Sequence, residues 1–376
     1  MAKLFPTQEI GSFAKPAWLT HLTKESRPSE DSIRDALAWG NVFGISEKDI
    51  KVLQTLLRSK DPFAQRERVR DFASLYLVRL QESAGLDYVY NGEAKRIEMY
   101  EYPVRLIDGF EFLGHVRSFD NKYYRKGACK GKVELREPYH TREFLEVRSI
   151  ARKKVKVPIT GAYTLADWSF NEFYLSKRIG KASPKRAKAE AKREFTLDIA
   201  EKVIRPNLLS LAKAGAGYIQ IDEPAAATHP DEVDLFVEAT NVSTKGVDAK
   251  LGMHICFSEY ASLFPSILEM RDCSIFTWEF ANRDDDKRSG YRVLKLFKDY
   301  NDEREIGLGV LNVHVDDIES PELVRDRVLY AARLLGPEKI YVNPDCGLRT
   351  RTWDVAYAKL KNMVKGASLA RKELEG

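Results

Sequence analysis

Residues 191–224, AKREFTLDIAEKVIRPNLLSLAKAGAGYIQIDEP, hold the pattern on which the fold turns. Through 191–213 the apolar residues recur at helical spacing. The chain then changes to a short, nearly continuous apolar run, YIQI, that ends in two carboxylates, Asp222 and Glu223. Apolar residues on consecutive strand positions are buried on both faces, which is what a parallel sheet covered by helices demands. The stretch reads as one helix-to-strand unit of an α/β protein.

The unit recurs. Short β-rich runs ending in small or polar residues stand at 8–13 (QEIGSF), 87–93 (DYVYNGE), 156–163 (KVPITGAY), 217–224 (GYIQIDEP), 250–256 (KLGMHIC), 274–280 (SIFTWEF), 306–314 (IGLGVLNVH) and 339–347 (KIYVNPDCG). Longer amphipathic stretches separate them. Eight such units predict a closed (βα)8 TIM barrel rather than an open doubly wound sheet, with residues 1–376 as a single catalytic domain. Two insertions follow the first two strands. Residues 16–83 include helical segments such as EKDIKVLQTLLRSK, and the region around 100–150 carries KVELREP, read as a hairpin beside the barrel mouth. The basic run KASPKRAKAEAKREF (181–195) is helix-prone after Pro184 and reads as a solvated face, with docking of an acidic tail as its alternative.

Composition narrows the class. The 376 residues are 44% apolar and 31% charged, as in a globular enzyme with a large core. A net charge of +5 from 61 basic and 56 acidic residues is too near balance to imply nucleic acid. No apolar run approaches the roughly 18 residues that span a bilayer, and the opening MAKLFPTQEI has no signal-peptide hydrophobic region, so a cytoplasmic location is expected. Four widely spaced cysteines (129, 256, 273 and 346) do not form a disulfide framework, which favours a metal or catalytic use.

In such barrels the substrate site lies at the C-terminal ends of the strands. The strand ends here read Ser12, Glu93, Tyr163, Asp222 with Glu223, His254 with Cys256, Glu279, His314, and Asp345 with Cys346. Ionisable side chains at the same end of apolar runs point to a shared task, because burying them singly is costly. His254 and Cys256 lie two apart on one strand and face the same way, so both can reach one ion. Glu279 and Cys346 can complete a tetrahedral zinc shell, and ligands so far apart in sequence suit a catalytic site. Two thiolates and one imidazole make a soft shell fit to activate a thiol. Glu93 and Asp222 can hold an ammonium and Ser12 a carboxylate, giving a site for a thiol-bearing amino acid. Two of these have an ordinary alternative: a surface ion pair with Lys95 or Arg96 for Glu93, and a helix N-cap just before Pro224 for Asp222. For Cys129 and Cys273, plain core packing is the reading preferred.

The segments EIGSF, YNGEAKRIEMYEY, IQIDEPA, MHICFSEY, TWEFANRDD, GLGVLNVH and IYVNPDCGLRTR resemble, in order, the motifs of the catalytic C-terminal barrel of cobalamin-independent methionine synthases. The resemblance runs from about residue 8 to the C-terminus. It implies methyl transfer to the thiol of L-homocysteine, giving L-methionine, with one zinc per chain held by His254, Cys256, Glu279 and Cys346. It further implies that Ile10, Gly11, Ser12, Glu93 and Asp222 bind homocysteine, that His314 donates a proton, and that Trp168 stacks on a 5-methyltetrahydrofolate donor. The chain departs from the family in two ways. It has nothing corresponding to a second, N-terminal barrel, and an expected Arg-Cys pair reads Ala128-Cys129, so methylcobalamin or a corrinoid protein stands as the alternative donor. Rival readings are a zinc alkyltransferase acting on coenzyme M, which needs cations for a sulfonate, a zinc-free decarboxylase of the uroporphyrinogen type, and a non-catalytic barrel with a structural zinc.

Overall fold

The computed structural model describes residues 3–117 and 123–375. Its strands are β1 (Tyr88–Val89), β2 (Ile107–Arg117), β3 (Tyr123–Leu135), β4 (Lys154–Val155), β5 (Val157–Thr160), β6 (Phe170–Asn171), β7 (Tyr218–Asp222), β8 (Lys250–Ile255), β9 (Cys273–Trp278), β10 (Glu305–Leu311) and β11 (Ile340–Pro344). Strands β5, β7, β8, β9, β10 and β11 form one parallel sheet in that order, and β1 pairs with β4 in parallel. The N-terminal segment closes the ring: Thr7 bridges Val342 in β11 and Gln8 bridges Tyr88 in β1. On the far side of β1, the Lys156 N–H donates to the Val89 carbonyl at 3.2 Å, joining β1 to the β4–β5 stave. The result is the eight-staved α/β barrel, in which each stave has a neighbour on both sides.

Two strand readings are corrected in extent. Residues 8–13 do not form a strand: ladder contact stops at Gln8, and the Phe13 N–H donates instead to the Gly92 carbonyl at 3.1 Å. Residues 87–93 keep only Tyr88–Val89 in the ladder. The reason is local, since Gly92 and Glu93 take φ of 59° and 58°, left-handed values that a strand cannot contain. Both segments therefore leave the sheet to line the mouth.

The helix read at 191–213 is longer. It starts at Pro184, where the Ser183 side chain accepts the Arg186 N–H, and runs through a π turn at Ala200–Ile204 to Lys213. Pro206 explains the turn, because it has no N–H to give to the previous turn of helix. Asn207 repairs the gap: its side-chain amide donates to the Val203 carbonyl (2.8 Å) while its oxygen accepts the Tyr139 N–H (2.9 Å).

The first insertion folds as helices Ala17–Thr23, Glu30–Val42, Glu47–Leu57 and Arg66–Ala84, two of them capped by Ser29 and Ser46. Their apolar stripes meet the C-terminal helix Trp353–Glu375 around Trp353, which donates its indole N–H to the Ala14 carbonyl at 2.8 Å. The second insertion is an antiparallel hairpin of β2 and β3, much longer than KVELREP alone, and β6 adds to its edge. Cys129 and Cys273 are buried in the core, and burial pushes both thiols up to about 12, as core packing implies.

Candidate metal and substrate site

Strand register builds the site. Asp222 in β7 is the ladder partner of His254 in β8, and His254 of Thr277 in β9, so the first two side chains sit at one level on neighbouring staves. Cys256 follows β8 directly, Glu279 follows β9 directly, His314 lies three residues past β10 and Cys346 two past β11. All reach the same mouth.

His254, Cys256 and Cys346 present one ligand atom each, all within 4.8 Å of one another. His254 Nδ1 lies 3.0 Å from the Thr277 carbonyl, which can only accept, so Nδ1 carries the proton and Nε2 faces the sulfurs, 3.7 Å from Cys346 Sγ. A backbone carbonyl fixing the far nitrogen is how metal-binding imidazoles are commonly oriented. A hydrogen bond from Cys256, aided by His254, brings the Cys346 thiol down to about 5, while the same bond and burial push Cys256 up. For His254, burial lowers the pKa, but the Cys346 thiolate and Asp222 outweigh it and raise it to about 9. Two sulfurs and one correctly turned imidazole nitrogen in a buried pocket fit a zinc ion.

Glu279 stands apart from this trio. Its Oε2 accepts the Phe257 N–H at 2.7 Å, and its Oε1 lies 3.7 Å from His314 Nε2. The structure thus brings three of the four expected ligands together and leaves the fourth beside them, held by backbone. Phe257 adopts φ of 52°, which turns its N–H to the carboxylate and its ring to within 4.9 Å of the His314 ring centroid.

The same cavity is lined by Ile10, Gly11, Ser12, Glu93, Asp222 and Trp168, so every expected substrate and donor residue borders it. Glu93 is buried, and its ion pair with Arg96 is an interior one at 3.4 Å. Arg96 is held more closely by Glu143 (2.9 Å) and the Pro158 carbonyl (2.8 Å). Lys95 pairs with Asp71 and Glu146 instead. Burial, with Glu143 nearby, raises the Glu93 carboxyl. Asp222 is not a helix cap; its Oδ1 accepts from Gln220 Nε2 at 2.7 Å, and burial raises it to about 7. The cap is Glu223, which accepts the Tyr163 and Thr164 N–H groups at the start of helix Ala162–Asp167. Asp345 is likewise structural, accepting the N–H groups of Phe280, Ala281 and Asn282.

Trp168 forms an aromatic wall with Tyr124, their rings stacked at 5.3 Å. The hairpin thereby reaches the mouth, and Tyr124 and Arg349 line the cavity without having been singled out from sequence. Arg349 lies inside the NPDCGLRTR segment, so a cation close behind Cys346 was a readable signal. Tyr124 had none, since only the hairpin fold brings it to Trp168. Among the described residues no helix is long and apolar enough to cross a membrane.

Comparison with known proteins agrees with this architecture. The family model described as "Cobalamin-independent synthase, Catalytic domain" matches residues 47–369. A methionine synthase of Thermoplasma acidophilum is 38% identical over 98% of this chain and 98% of its own length. One from Pyrococcus horikoshii is 39% identical over 99% of this chain and 94% of its own. In fold, the chain is similar to a B12-independent methionine synthase from Shewanella sp. W3-18-1, solved in complex with selenomethionine, with a TM-score of 0.74 at 20% identity and 99% coverage of both chains. The chain belongs to the cobalamin-independent methionine synthase family.

Proposed function

We propose that this barrel transfers a methyl group to the thiol of L-homocysteine at a zinc held by His254, Cys256 and Cys346, with Glu279 as fourth ligand. The observation that carries the reading is the trio of buried His254, buried Cys256 and half-buried Cys346, its ligand atoms within 4.8 Å of one another, opening into a cavity rimmed by Glu93 and Asp222. Zinc, when bound there, supplies the charge that keeps an incoming thiol deprotonated at neutral pH. The chain's residues do the rest. Asp222 and Glu93 receive the substrate ammonium, and the Ile10–Ser12 segment with the Ser12 hydroxyl receives its carboxylate, which fixes the sulfur over the ligand trio. The sulfur takes the methyl carbon, the bond from that carbon to its carrier breaks, and His314 Nε2 gives the carrier a proton. Glu279 Oε1 lies 3.7 Å from that nitrogen.

The donor proposed is 5-methyltetrahydrofolate, since an indole and a phenol stacked at the mouth offer π surface to a pterin ring. One observation favours a corrinoid donor: Ala128, where the family carries a cation, is buried in β3 and presents no charge. Incubation of the zinc-loaded protein with homocysteine and each donor separately, with methionine measured, decides between them. Methionine from methylcobalamin alone overturns the folate assignment; methionine from neither overturns the proposed reaction.

A further inference from the structure

Below the pocket floor lies a buried chain of polar side chains with no part in the chemistry above. Lys156 is fully buried, and its Nζ donates to the Glu9 carbonyl and, at 2.7 Å, to Gln220 Oε1. Glu9 Oε1 lies 3.8 Å away. An ammonium only donates, so the Gln220 oxygen must face Lys156 and the amide nitrogen must face away. Both hydrogens of that nitrogen are used: Gln220 Nε2 is 2.7 Å from Asp222 Oδ1 and 2.7 Å from the Ile10 carbonyl. These two acceptors belong to the two half-sites assigned above to opposite ends of one amino acid. A single buried amide therefore ties the ammonium-binding carboxylate on β7 to the N-terminal segment that meets the substrate carboxylate.

We infer that Gln220, turned by Lys156, is a positioning residue that sets the spacing of the two half-sites for homocysteine. The inference rests on reading Asp222 and Ile10–Ser12 as substrate contacts. It follows that the relay acts on the amino-acid end of the substrate and not on the sulfur, the metal or the methyl donor. Without Lys156 the amide has no reason to prefer one face. With a glutamate at 220 the acceptor for Lys156 remains, but both donors are gone and a second carboxylate faces Asp222.

The test compares Gln220→Glu and Lys156→Met with the parent protein, using whichever of 5-methyltetrahydrofolate and methylcobalamin supports turnover. The homocysteine KM is expected to rise about tenfold or more, while kcat at saturating homocysteine, the donor KM and bound zinc stay within about twofold. A homocysteine KM unchanged in both variants overturns the inference, and so does a fall in kcat with both KM values disturbed alike, as a loosened core would give. Lys156→Met leaves the amide in place and carries the test if Gln220→Glu does not fold. Asp222→Asn, measured alongside, separates the two levels. If it leaves the homocysteine KM unchanged, the substrate reading fails; if it raises KM and the relay variants do not, only the relay fails.

Discussion

Cys256, Cys346 and His254 converge at the barrel mouth, with His254 Nε2 3.7 Å from the Cys346 sulfur. Such a trio without a cation would be costly to bury, so its persistence in an apolar mouth argues for an ion. Either Cys256→Ser or Cys346→Ser is expected to weaken zinc binding more than about 100-fold and to abolish turnover with it, read by metal analysis and methionine assay on the same sample. His314→Ala is expected to keep the zinc and the homocysteine affinity while kcat falls about 10²- to 10⁴-fold; loss of zinc in that variant would contradict its assignment. A different residue sets a pH dependence. His140 is buried against Tyr102, and burial followed by the Arg96 charge lowers its pKa to about 4. The unfolded chain takes up that proton near pH 6.5 and the folded chain does not until about 4, so the folded state loses stability as pH falls through this window. About 3 kcal/mol is at stake. Glu223 and Asp345, each raised to about 7, bind protons on folding and act in the opposite sense, but equally in parent and variant. The readable quantity is therefore the difference: the parent should lose more stability between pH 6.5 and 4 than His140→Phe, in denaturant titrations at several pH values. Equal slopes would contradict the assignment.

At the level of elements, the site depends on where strands stop. Gly347 shows how tightly the last strand end packs on the first: a Cβ there would lie 2.8 Å from the Ser12 carbonyl oxygen and 2.9 Å from its nitrogen. Those are backbone atoms and cannot turn aside, so Gly347→Ala should push the Ile10–Ser12 segment and raise the homocysteine KM about tenfold, with the donor KM unchanged. Kinetics that move both KM values together would instead mean a disturbed zinc loop. The same elements show what a sequence makes legible. Runs such as YIQI and GLGV announced their strands, because apolar residues on successive positions have few other homes, and the polar residues just beyond them marked the mouth. The first two staves were misjudged in extent because the left-handed Gly92 and Glu93, and the hydrogen bond from Phe13 to Gly92, lie outside any periodicity. Tyr124 was invisible because it is brought to Trp168 by a hairpin pairing distant in sequence. Lys156 and Gln220 read as unremarkable strand residues, since pattern alone does not tell which polar side chains point into a barrel. Glu279 was read as a fourth ligand from its place at a strand end, but its attachment to the Phe257 N–H follows from a backbone turn that no spacing encodes.

Across the whole molecule, the first and last staves meet through Thr7 and Val342, and the C-terminal helix packs on the inserted helices around Trp353. A continuous core of this kind leads us to propose one cooperative domain over the described chain. Thermal unfolding followed by circular dichroism and by tryptophan fluorescence should then give coincident transitions, and bound zinc should raise the midpoint, since it holds three staves together at one end. Two separated transitions would contradict a single domain. Catalysis at the proposed zinc pocket is tested by zinc stoichiometry measured together with turnover. The protein as purified should hold one zinc per chain and form methionine from homocysteine. Removing the metal should abolish the reaction and adding zinc back should restore it, whereas zinc-free protein that retained full methyl transfer would contradict the account.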